Sequence, residues 1–345
     1  MDDYGYINAR IRAMKAQLLK EEAYDDLLSR TTLEEIETAL RKSPYAEELQ
    51  KVESREKRTI DILITAYRLN LERSLHKLTK ITSGEPAQLF HTILAKYDVY
   101  NVKTILRGKL RGVLTPEIKA SLLPAGVLDE ARLNQLIEQP DAPAVVDLLA
   151  TWGIVFPFVI GRELVKMVRE GNLQKIEYYL DNSYFSWAFD TLKGKGDNKE
   201  AVREVLVGLV DTRNIMSCLL LLKEGIKPLG RISFLPGGSL SSMTLSKLES
   251  SENLEMGLKV LKETPYGKTL GERKIKDLPT LERMFEKNLL DHALSMKYRD
   301  PLGIGLGISY IWAKEFEVVN LRTITFGIAF GLDKPRIREQ LIYFA

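Results

Sequence analysis

Three acid and amide pairs carry the residue types that could do chemistry: Asp98-x-x-Asn101, Asp211-x-x-Asn214 and Glu317-x-x-Asn320. A carboxylate beside a carboxamide serves general acid–base catalysis, or an oxygen-rich metal site, when several such groups converge on one pocket. Here each pair is followed, eleven residues after its asparagine, by a glycine: Gly112, Gly225 and Gly331. Successive asparagines are 113 and 106 residues apart, the spacing of domains, so the pairs read as equivalent positions of a repeated scaffold. One acid per repeat argues for architecture and against a shared reaction centre.

Other candidates are few. Gly303-x-Gly305-x-Gly307 has glycines that suit a phosphate cradle, but no strand pattern precedes it and its spacing is not that of a dinucleotide site. It reads as a close-packed turn into the helix of Tyr310 and Trp312. Arg107-Gly108-Lys109-Leu110-Arg111 is basic in one copy only, which leaves open a solvated helix end or a contact to an acidic partner. No H-E-x-x-H, C-x-x-C, G-x-x-x-x-G-K-[ST] or G-x-S-x-G occurs. One cysteine, Cys218, and three scattered histidines supply neither a disulfide framework nor a His-based metal cage. The expectation is a chain with no catalytic residues, no cofactor and no metal.

Composition narrows the class further. The chain has 345 residues, 45% hydrophobic and 28% charged, with 50 Lys plus Arg against 47 Asp plus Glu. A formal charge of +3 falls far short of what a phosphate-neutralising protein carries, so nucleic acid is not the expected partner. The N-terminus opens on acids and lacks the basic and apolar regions of a signal peptide. The longest nearly uncharged stretches, 152–161 and 301–313, are shorter than the ~20 residues a spanning helix needs.

The elements that must position the pairs are helices. Ile93, Tyr97, Asn101 and Ile105 lie at four-residue spacing, as do Leu206, Val210, Asn214 and Cys218, and again Trp312, Phe316, Asn320 and Ile324. Each asparagine thus sits on an apolar seam and is expected to be buried. An unpaired buried amide costs about 1–3 kcal/mol, so each must be hydrogen-bonded. The expected partner is the exposed backbone end of a neighbouring helix, with the acid one turn earlier taking a second donor. Glycine at +11 suits the left-handed residue that ends the helix.

Two further landmarks recur in register. Leu40-Arg41-Lys42-Ser43-Pro44-Tyr45 and Leu261-Lys262-Glu263-Thr264-Pro265-Tyr266 correspond, with Leu148-Leu149-Ala150-Thr151-Trp152 as the shorter middle copy. Leu123-Pro124-Ala125-Gly126-Val127-Leu128 matches Leu235-Pro236-Gly237-Gly238-Ser239-Leu240, with Leu18-Leu19 in the matching place of the first repeat. Thr32-x-x-Glu35 forms a capping box, and 231–235 is the best strand candidate. The predicted fold is all-α: three similar helical bundles, 1–116, 117–230 and 231–345, with pseudo-threefold symmetry.

At Tyr6-x-x-Ala9-Arg10, at Tyr97-Asp98-x-x-Asn101-Val102-Lys103-x-Ile105-Leu106-Arg107-x-Lys109-x-x-Gly112, at Leu235-Pro236-Gly237-Gly238 and at Glu317-x-x-Asn320-Leu321-Arg322-x-Ile324 the sequence resembles the C subunits of archaeal and bacterial V/A-type ATP synthases. That family is similar to the d subunits of eukaryotic vacuolar ATPases. The resemblance spans essentially the whole chain. It implies a funnel of three helical domains, a non-catalytic rotor part at the cytoplasmic face of the membrane. It implies as partners the D and F subunits of the central stalk and the membrane proteolipid ring, with no transmembrane insertion of its own. Arg107, Lys109 and Arg111 are then candidate partner contacts. A helical RNA-binding or protein-scaffold module is the alternative reading.

Overall fold

The computed structural model describes residues 4–54, 56, 58–152, 161–226, 233–271 and 278–343. Among them every regular element is a helix. In chain order these are α1 (Tyr4–Lys15), α2 (Glu21–Ser29), α3 (Leu33–Leu40), α4 (Ala46–Glu53), α5 (Thr59–Lys80) and α6 (Gly84–Leu110). There follow α7 (Thr115–Ala120), α8 (Glu130–Ile137), α9 (Ala142–Thr151), α10 (Arg162–Arg169), α11 (Leu173–Thr191) and α12 (Asp197–Lys223). The last six are α13 (Ser242–Glu249), α14 (Leu254–Lys262), α15 (Gly267–Leu270), α16 (Leu278–Arg299), α17 (Gly305–Ala329) and α18 (Lys334–Arg338). The strand candidate at 231–235 falls partly outside the described residues, and 233–235 is irregular.

Local sequence writes the helix ends. Thr32 accepts the Glu35 N–H while the Glu35 carboxylate takes the Thr32 N–H, the complete capping box ahead of α3. Asp129, Asp141, Asn172, Ser241 and Asn253 each accept a backbone N–H inside their helix's first turn.

The chain divides into two compact bodies. One is discontinuous, Met1–Phe90 with Ala293–Ala345. Its axis is α17, buried around most of its circumference, with α1, α2, α3, α5 and α18 packed on it. Gly307 belongs to this packing, since a Cβ there would lie 2.2 Å from the Phe90 ring. The Gly303-x-Gly305-x-Gly307 segment is therefore a packing device: Asn8 donates to the Gly303 carbonyl at 3.1 Å, and a Cβ on Gly305 would meet the Met296 carbonyl oxygen at 2.4 Å.

The other body is His91–His292. Its core contains Ile215, Cys218, Leu219, Leu222, Leu248, Leu261, Leu281 and Phe285 from α12, α13, α14 and α16. By length and composition α12 could cross a bilayer, a property the pattern of uncharged stretches did not single out. Its buried Val202, Leu206, Val210 and Cys218 place half of that apolar stretch in the core.

Candidate functional site

The long helices α6, α12 and α17 carry the three acid and amide pairs, and all six side chains are buried. Each asparagine grips one backbone residue with both ends of its amide. Asn101 donates to the Leu123 carbonyl at 2.7 Å and accepts its N–H at 2.8 Å. Asn214 does the same to Leu235 at 3.0 and 2.8 Å, and Asn320 to Ile342 at 2.8 and 3.0 Å. The gripped backbone is an irregular loop or tail, not the helix terminus that the sequence suggested. Such segments make no ladder of their own, so their buried N–H and C=O groups need a side chain to pair with.

The carboxylate one turn earlier closes the clasp. Asp98 accepts the N–H groups of Val127 and Leu128, each at 2.9 Å. Asp211 accepts from Ser239 N–H at 3.0 Å, Ser239 Oγ at 2.5 Å, Leu240 N–H at 3.3 Å and the Tyr266 hydroxyl at 2.9 Å. Glu317 accepts from Leu19 N–H at 2.6 Å, the Tyr45 hydroxyl at 2.6 Å and Lys314 Nζ. The recurring loops thus have a physical use. A Cβ on Gly126 would lie 2.3 Å from both Asp98 oxygens, and one on Gly238 2.2 Å from Asp211 Oδ1, so the Leu-Pro-[Ala/Gly]-Gly turn leaves room for the acid.

The Ser/Thr-Pro-Tyr landmark presents a phenol to the acid. In both copies the hydroxyl of Ser43 or Thr264 donates to a carbonyl three residues back at 2.6 Å and accepts the tyrosine N–H at 3.2 Å. Burial, then the charge of the neighbouring carboxylate, pushes the Tyr45 and Tyr266 phenols above their ordinary range, so both stay protonated as donors. Pro44 is held in turn: Asn70 and Arg73 donate to its carbonyl at 2.9 and 3.2 Å, and both reach the buried Glu48.

The glycines end all three helices alike. Gly112, Gly225 and Gly331 have φ of +67°, +70° and +66°. Each donates three residues back, while the next residue donates five back: Val113 to Gly108, Ile226 to Leu221 and Leu332 to Gly327, at 2.9, 2.9 and 2.8 Å.

Sequence reasoning missed Lys314. It is buried, stacks over the Tyr45 ring with Nζ 4.6 Å from the centroid, and neutralises Glu317 from the same helix face. The signal was a lysine three residues before the acid on an otherwise apolar seam. The basic run also reads differently in space. Arg107 forks onto Glu177 Oε1 at 3.0 and 2.5 Å, and the neighbouring Lys103 pairs with Asp181 at 2.8 Å, which Arg213 shares at 2.8 Å. Arg107 therefore ties α6 to α11, while Lys109 is half-buried and Arg111 exposed. The first two acid and amide pairs each close on one loop and the third on two segments, at Leu19 and Ile342, and among the described residues no group of His, Cys, Asp and Glu is arranged for a metal ion.

A buried carboxylate filled by backbone donors, a carboxamide matched to one peptide unit and a glycine cap define a structural joint repeated three times. Residues 7–340 match the family model of the ATP synthase (C/AC39) subunit, and the chain belongs to that family. Relatives named as the C subunit of A-type ATP synthase are similar along their length. That of Haloferax volcanii is 29% identical over 344 residues, covering 98% of this chain and 97% of the relative. That of Methanocaldococcus jannaschii is 27% identical, covering 98% and 86%, and that of Methanococcoides burtonii 28%, covering 99% and 94%. The chain is thus a non-catalytic, all-α component of a rotary ATP synthase.

Proposed function

We propose that the chain is a central-stalk adapter, coupling the D and F stalk subunits to the proteolipid ring at the cytoplasmic face of the membrane. In this reading the three clasps mark three similar domains, near 1–116, 117–230 and 231–345, arranged as a pseudo-threefold funnel. Arg107, Lys109 and Arg111 lie on a partner-facing helix end, with Arg111 the exposed member. The observation that carries the reading is the clasp itself, built three times from buried polar groups that bind the chain's own backbone. A part that transmits torque needs joints that do not open locally, and fully paired buried polar groups give that rigidity. In this reading attachment to the membrane runs through protein contacts with the ring.

Affinity capture from native membranes tests it. Tagged protein should retain a stalk component and a proteolipid, should not hydrolyse ATP alone, and should not partition into liposomes that lack the ring. Robust hydrolysis, or binding to bare liposomes, would overturn the reading.

A further inference from the structure

The three clasps share a backbone design but not a donor set. Asp211 receives two N–H groups, a serine hydroxyl and a phenol. Glu317 receives an N–H, a phenol and an ammonium. Asp98 is as deeply buried as either, yet among the described residues two N–H groups are its whole complement.

The surroundings of Asp98 add little charge. On α6 its neighbours one turn away are Leu94, Ala95, Asn101 and Val102, and loop 122–128 carries no titratable side chain. From α8 the charged group facing it is Arg132, whose guanidinium donates at 3.0 Å to the Val127 carbonyl and not to the acid. The first repeat's acid therefore has neither the hydroxyl donors nor the lysine that compensate its two counterparts.

We propose that the Asp98 clasp is a pH-dependent joint, gripping loop 122–128 more tightly in acid and more loosely at neutral pH. The sign follows from desolvation. Water solvates the carboxylate when the loop is open, whereas the closed clasp offers it two N–H groups in a dry cradle, so the closed form binds a proton more tightly. A protonated carboxyl oxygen keeps lone pairs that still accept an N–H. Burial pushes the Asp98 carboxyl up to about 6 from its ordinary value of 3.8, with the Val127 and Leu128 N–H groups and the Arg132 charge opposing the rise. Stability from this proton is present in acid and is lost as pH rises through about 6. Asn101 does not titrate, so the Leu123 end of the loop stays fixed and the Val127 end opens.

Hydrogen exchange on the full chain, corrected for the intrinsic pH dependence of each amide, reads this directly. Protection of the Val127 and Leu128 amides should be about tenfold higher at pH 5 than at pH 7.5, a change that the Leu123 amide, bound to the non-titrating Asn101, should not share. Asp98→Asn should flatten the pH profile at Val127 and Leu128 alone. If that variant does not fold, the carboxyl chemical shift of Asp98 in the unsubstituted protein takes its place, with a midpoint near 6 expected. Protection that falls in acid, a Leu123 amide that moves in parallel with Val127 and Leu128, or an Asp98 midpoint below about 4.5 would overturn the proposal.

Discussion

Glu317 accepts the backbone N–H of Leu19 at 2.6 Å, although 298 positions separate them in sequence. The Leu18-Leu19 segment thus serves an acid 298 positions on. The loops that serve the other two acids follow them by about thirty residues, as Leu128 follows Asp98. Where the joint unites distant parts of the chain, it also carries the longer acid and the added lysine.

That ion pair should be strongly coupled to stability. Lys314→Met leaves Glu317 buried without its cation and should cost about 3–5 kcal/mol. The double variant Lys314→Met/Glu317→Gln should recover part of that loss, because neither charge remains to be desolvated. Urea unfolding midpoints of the single and double variants decide it; a double variant no better than the single would refute a buried-charge origin.

Glycines of two kinds should separate. Gly126→Ala forces a methyl into the Asp98 carboxylate and should cost about 1–3 kcal/mol, as overpacking does. Gly112→Ala meets nothing within 4 Å and should cost about 1–2 kcal/mol from its left-handed backbone alone. Exchange at Val127 and Leu128 should rise sharply in the first variant and hardly in the second.

Each asparagine grips both polar groups of a single residue's backbone. Asn214→Ala should cost about 1–3 kcal/mol and expose the Leu235 amide to exchange, leaving Leu123 and Ile342 protected. Equal deprotection of all three would mean that the joints are not independent.

Cys218 lies fully buried, and burial pushes its thiol up to about 12. Alkylation at about pH 8 should therefore be slow in the native protein and accelerate with urea in step with opening of the α12 core. Rapid stoichiometric labelling without denaturant would contradict this burial.

The helical class, the buried asparagines and the glycine caps were legible because apolar spacing and cap chemistry are local. What the carboxylates bind was not, because the Asp98 donors lie about thirty residues away and Leu19, one of the Glu317 donors, lies 298 positions before it. Lys314 resembles a surface cation until Tyr45 and Glu317 close over it. The Glu177 pair of Arg107 was not legible either, because Glu177 lies 70 positions on and is brought to it only by the packing of α11.

The discontinuous body has a consequence for biogenesis. During translation, residues 91–292 emerge as one contiguous stretch and can condense while the ribosome is still working. The opening ninety residues must wait for α17, whose Glu317 and Asn320 are the sockets for Leu19 and Ile342. Until then Tyr45 and the faces of α3 and α5 that cover α17 lack their native cover.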